Sequence, residues 1–137
     1  MASELEDKAA IREVLGRYCF HLDAGEFDAM AALFTEDGTW HTDFGKGTGR
    51  AGIIEHARSL RAGDAPRPRG VHLTTNIVIE LDGDRATVRS NWMVAQNHAA
   101  GPRISSAGGY HDDMEKQGGG WMFRYRKIDR YIAEGKF

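Results

Sequence analysis

The second half of the chain leaves little freedom in what it can fold into. Four runs of strand character follow one another, His72–Leu81, Arg85–His98, Ile104–Lys116 and Trp121–Tyr131, separated by short turns. Asp82-Gly83-Asp84 and Gly118-Gly119-Gly120 are turn chemistry that closes antiparallel neighbours. Ahead of them the chain reads mostly as helix. Ser3, with Glu6 three residues on, is a capping box opening a helix over residues 4–24, whose apolar stripe is Ile11, Leu15, Tyr18 and Leu22. Gly25 ends it as a left-handed cap, and Glu26–Phe34 follows as a shorter helix. Gly38–Phe44 alternates as a strand, with Trp40, Thr42 and Phe44 on one face and His41 and Asp43 on the other. Gly45-Lys46-Gly47-Thr48-Gly49 lacks the Gly-Lys-Ser/Thr that a phosphate loop places before its helix, so it reads as hairpin punctuation. A third helix, Arg50–Leu60, turns Ile53, Ile54, Ala57 and Leu60 inward, and residues 62–70 read as a proline-bearing loop of the kind that lids a site. Helices segregated ahead of long antiparallel strands give the α+β class.

At 137 residues one domain spanning 1–137 accounts for the whole chain. The formal charge of −2 offers no basic field for a polyanion. The densest basic group, Arg58, Arg61, Arg67 and Arg69, is interleaved with Pro66 and Pro68 and has no aromatic platform, which reads as a solvated loop and no nucleic-acid partner. The single cysteine, Cys19, excludes an internal disulfide framework and fits a reducing compartment. No apolar run reaches membrane-spanning length, so the expected setting is cytoplasmic, with no membrane partner. Strands with apolar residues on both faces, Trp92 beside Met93 and Trp121 beside Met122, lead to an expectation of self-association.

Asp23 falls in the last turn of the first helix, where the helix dipole disfavours an anion. Either solvent and turn amides compensate it, or it faces a cavity and holds a partner. His72 stands out among six histidines because it opens a strand, in Val71-His72-Leu73-Thr74-Thr75-Asn76, where a structural histidine and a pocket-facing base are both open readings.

Tyr18-x4-Asp23, Gly25-x-Phe27-Asp28 and Leu33-Phe34-Thr35-Glu36-Asp37-Gly38 together resemble the opening of a SnoaL-like domain of the NTF2-like superfamily. The similarity is to the branch that holds scytalone dehydratase, bile-acid 7α-dehydratase and hexachlorocyclohexane dehydrochlorinase, and it runs over about residues 5 to 135. The resemblance implies a cone-shaped α+β barrel, three N-terminal helices packed into a strongly curved, mostly antiparallel sheet around a blind pocket. Gly108-Gly109 would supply the bend that such strands need.

The resemblance also implies His72 as general base and Asp23 as the acid that fixes its tautomer, a pairing with sound chemistry because neutral imidazole abstracts protons near neutral pH. It adds Tyr18, roughly 500° of helical rotation from Asp23 and so about 140° away, which serves the site or packs the core. Arg130 matches an arginine that would hold a ligand oxygen, unless it pairs near Asp129 at the sheet surface. Trp40, Trp92, Gln96, Tyr110, Trp121 and Phe123 are the expected walls. Gln96 stands where the related dehydratases carry a histidine or an acid, and Leu22 where scytalone dehydratase has a tyrosine, so leaving-group protonation would fall to Tyr110, His98 or Asp112, or the leaving group needs no acid. The expectation is a cofactor-independent lyase of dehydratase type, without metal, acting on a small apolar, aromatic or polycyclic molecule. It would be a homo-oligomer, a trimer in preference to a dimer. The alternatives are an isomerase or polyketide cyclase using the same base, or a non-catalytic subunit like those of ring-hydroxylating dioxygenases.

Overall fold

The computed structural model describes residues 2–61 and 69–134; of the loop expected over 62–70, residues 62–68 lie outside them, and Gly70 already belongs to a strand. The elements run α1 (Glu4–Ala24), α2 (Phe27–Ala31), β1 (Phe34–Thr42), β2 (Gly45–Thr48), α3 (Gly49–Leu60), β3 (Gly70–Asp82), β4 (Arg85–Gln96), β5 (Arg103–Gln117) and β6 (Gly120–Ala133). One six-stranded sheet has the order β2-β1-β6-β5-β4-β3, antiparallel throughout except where β1 lies parallel to β6. Three helices against this curved sheet make the α+β cone.

The local signals act as expected at α1. Ser3 Oγ accepts from the Glu6 amide at 3.1 Å, and Gly25 adopts φ 73°, so the chain turns out of the helix at a residue with no side chain to oppose it. Ile11, Leu15 and Tyr18 are buried. The second helix is shorter than its pattern suggests. It stops at Ala31, because Leu33 accepts from the Phe123 amide at 2.9 Å and Phe34 registers with Phe123 in the sheet. Tertiary pairing there overrides an apolar pattern that alone reads as helix.

Curvature comes from interruptions in the ladders. On β3 the register shifts between Thr75 and Val78, where Asn76 takes φ 55°. Between β5 and β6 it shifts at Ala107/Gly108 and again at Asp113/Met114. A Cβ at Gly108 would overlap the Asp129 carbonyl, so this approach of two strands requires glycine. Trp92 spans the same bulge, its indole N–H shared between the carbonyls of Gly109 (3.2 Å) and Asp129 (3.1 Å).

The core deep in the cone contains an ion pair. Arg126 and Asp112, opposite each other on β6 and β5, are fully buried, with Arg126 Nε 3.0 Å from Asp112 Oδ1. The contact is misaligned for a hydrogen bond, and the guanidinium nitrogens have no other polar partner among the described residues. It rests instead on aromatic faces, 3.6 Å from the Tyr110 ring centroid, 4.2 Å from Tyr18 and 4.6 Å from Phe123.

Burial pushes the Asp112 carboxyl up from 3.8 to about 6, against the pull of Arg126. The folded chain therefore binds this proton more tightly than the unfolded chain, and stability associated with it is present below pH 3.8 and lost as pH rises to about 6. Asp112→Asn, which leaves the cation buried without its counter-charge, is expected to cost about 3–5 kcal/mol in urea unfolding. Arg126→Met combined with Asp112→Leu should be as stable as the parent or more so, and should lack the parent's relative loss of stability between pH 4 and 6.

Candidate active site

The wide end of the cone holds a cavity of about 670 Å³. Asp23 reaches it from the end of α1. The cost of an anion there is offset from two sides: Asp23 Oδ2 accepts the His72 amide at 3.0 Å, and Oδ1 lies 2.5 Å from His72 Nδ1. Arg61 adds a cation at the same helix end, donating to the Leu22 carbonyl at 2.6 Å. Both members of the pair are about one-fifth exposed. With Asp23 a carboxylate, the neutral imidazole carries its proton on Nδ1, which leaves Nε2 as the basic edge. That edge has no partner among the described residues, and the ring lies beside Trp92, with centroids 6.5 Å apart.

Tyr18 and Asp23 both line the cavity despite their angular separation on α1, because they border different walls. Asp23 is at the rim against β3. Tyr18 is on the floor, 0% exposed, its hydroxyl accepting from the Trp40 indole at 2.9 Å. Trp40, Trp92, Gln96, Tyr110 and Arg130 also line the cavity. Trp121 and Phe123 do not. Trp121 donates to Asp7 at 2.9 Å, and Phe123 packs on Phe34 and Tyr18 in the narrow end. Both point inward but lie below the cavity, in the part of the cone that core side chains fill; at the Asp113/Met114 shift Arg124 is the extra residue, so above it the inward side chains are Arg126, Ile128 and Arg130.

Arg130 does not pair at Asp129, whose carboxylate faces His111 (3.6 Å) and Lys127 (3.8 Å) on the outer side. It donates to Asp43 at 2.9 Å, its guanidinium 5.1 Å from the Trp92 ring and 5.5 Å from Phe44. Strand alternation puts Asp43 and Phe44 on opposite faces. Both border the cavity because β1 ends at Thr42 and the turn begins. His41 keeps to the outside, bonded to Tyr125 at 2.6 Å.

Of the three residues considered for leaving-group protonation, only Tyr110 lines the cavity. His98 lies beyond the end of β4 and accepts from the Ala100 amide at 3.3 Å, and Asp112 is held against Arg126. Burial keeps the Tyr110 phenol well above the usual range, so it stays protonated. Among the described residues no three His, Cys, Asp or Glu side chains converge as a metal site. Cys19 is buried, its thiol pushed up by burial and 3.3 Å from Thr74 Oγ1, as a packing residue rather than a nucleophile.

The family model for the SnoaL-like domain matches residues 3–127. The chain belongs to the SnoaL-like family. Among solved structures, this SnoaL-like domain is similar to a Mycobacterium tuberculosis protein of unknown function at 35% identity, with a TM-score of 0.80, covering 92% of this chain and 72% of that one. A putative scytalone dehydratase from Novosphingobium aromaticivorans superimposes with a TM-score of 0.78 at 23% identity, covering 97% and 96%. ActVI-ORFA from Streptomyces coelicolor gives 0.79 at 24%, covering 90% and 96%. At those two identities the likeness concerns the fold. No curated protein matches the sequence. No helix among the described residues is long and apolar enough to cross a membrane.

The site geometry makes a spectroscopic prediction. When its ring is neutral, His72 should appear in nitrogen-15 NMR as the Nδ1–H tautomer. Asp23→Ala, which removes both acceptors, should return the ring to a mixture; an Nε2–H ring in the parent would contradict the pairing.

Proposed function

We propose that this SnoaL-like domain is a cofactor-independent lyase that eliminates a β-substituent from a small aromatic or polycyclic carbonyl compound. The observation that carries this reading is the Asp23–His72 pair at the rim of a cavity walled by Trp40, Trp92 and Tyr110. A filled cone, or either residue outside it, would have suited a scaffolding subunit. His72 Nε2 takes the proton next to the carbonyl, and Asp23 stabilises the imidazolium that forms. The freed electron pair becomes the new double bond as the carbon–oxygen bond breaks, and the leaving oxygen takes the proton back from His72. This return route needs no second titrating acid, which agrees with Gln96 at the cavity and with His98 and Asp112 outside it. An isomerase or cyclase would use the same base and return the proton to carbon instead.

His72→Ala should lower turnover by about 10²- to 10⁴-fold, the range of general-base catalysis. Asp23→Asn should keep the fold and lower turnover less. Because the two act as a unit, the double variant should be little worse than His72→Ala alone, and multiplicative losses would show separate roles. Aromatic alcohols and ketones screened for a new conjugated absorption separate elimination from isomerisation; full activity in His72→Ala would remove the mechanism.

We further propose that the protein works as a homotrimer joined through the outer sheet face. Leu73, Met93, Ala107 and Ile132 are register neighbours across four strands, and Val71, Ala95 and Ile104 form a second such row. Leu73 is 44% exposed and Ile132 63%, an apolar patch that calls for cover. Light scattering at micromolar concentration should give three times the chain mass, and a monomer would contradict the proposal.

A further inference from the structure

Beneath the cavity floor lies a polar cluster for which proton abstraction at the rim has no use. Tyr110 lines the cavity, and its hydroxyl has no hydrogen-bond partner among the described residues. One register step deeper, the Arg126 guanidinium lies 3.6 Å from the centroid of that same ring. Its Nη1 and Nη2 have no polar partner among the described residues, and Ser90, the register neighbour of Tyr110 on β4, has a buried Oγ in the same position. Asp112 approaches the cation at Nε, and the guanidinium carbon lies over the Tyr110, Tyr18 and Phe123 rings.

Arg126 remains charged, because a guanidinium does not give up its proton in a protein. In so apolar a setting its field is weakly screened, and through the Tyr110 ring on which it is stacked it polarises that residue's hydroxyl. A polarised, unshared O–H at the floor of a cavity is a donor for oxygen that carries negative charge, stronger for an anion than for a neutral carbonyl. The Tyr18 hydroxyl is not a second such donor, since its fully buried side chain is tied to Trp40.

We infer that Tyr110, with Arg126 as the positioning residue behind it, forms an oxyanion subsite that prefers the phenolate or enolate form of an aromatic ligand over the neutral form. This deepens the lyase reading, since it rests on the same cavity and places the developing enolate oxygen at the floor, away from His72 at the rim. It requires no turnover to be observed.

The test is the ionisation of bound 4-nitrophenol, followed by phenolate absorbance from pH 5 to 8 with the intact protein. The expected result is that the bound probe ionises at least about one pH unit below the free probe, a tenfold preference for phenolate. Tyr110→Phe should remove most of the preference. Arg126→Met with Asp112→Leu should also reduce it while neutral nitrophenol still binds; if that protein does not fold, Tyr110→Phe decides the matter alone. Ionisation at the free probe's pH or above, no binding of the probe, or an unchanged preference in Tyr110→Phe would overturn the inference. A protein that shifts the probe but forms no elimination product would sink the lyase reading and leave the subsite standing.

Discussion

At Gly108 the backbone of β5 comes against the Asp129 carbonyl so closely that no side chain fits, and the sheet bends there. The cavity depends on this bend. With straight ladders the inner faces of β3 to β6 would close on the helices and fill with side chains, as most α+β cores do. The bulge also frees carbonyls that the Trp92 indole then bridges, so the residue that fixes the bend is also a wall of the cavity, lying between His72 and Tyr110. Curvature and site are thus set by the same few atoms.

The cavity is polar in a graded way. At the rim, an acid that its helix disfavours is held by a histidine forty-nine residues later in the chain, which ties α1 to β3 and leaves the ring's other nitrogen without a partner among the described residues. At the mouth, Arg130 is neutralised by Asp43 and lies near the faces of Trp92 and Phe44. At the floor, a buried guanidinium lies behind aromatic rings with one carboxylate beside it. A carbonyl compound with its acidic carbon toward the rim and its oxygen toward the floor would meet a base and an electropositive donor together, the arrangement that lowers the barrier to an enolate.

Much of this was legible in the sequence where the signal is local. The capped first helix, its glycine stop and the strand that carries His72, which opens two residues earlier at Gly70, follow from neighbouring residues, and the SnoaL-like resemblance joined Asp23 to His72. Signals that depend on distant pairing were not. Phe34 reads as helix until Phe123 pairs with it, and Asp43 reads as outward until the strand ends one residue earlier. Trp121 and Phe123 share a strand with Arg130, yet a single extra residue, Arg124, reverses which side chains face inward, and no pattern within β6 announces it. The same reversal turns Arg126 into the core. A charged residue in an alternating strand is ordinarily assigned to solvent, so the buried pair with Asp112 had no sequence signal of its own.

The central claim is that His72 removes a proton from a carbon acid bound in the cavity. It is tested most directly by incubating aromatic ketones that bear an acidic α-hydrogen with the protein in deuterium oxide and following loss of the α-proton signal by NMR, which requires no leaving group. The account predicts protein-dependent exchange that falls by about 10²-fold or more in folded His72→Gln. Exchange at the parent rate in that variant would contradict it.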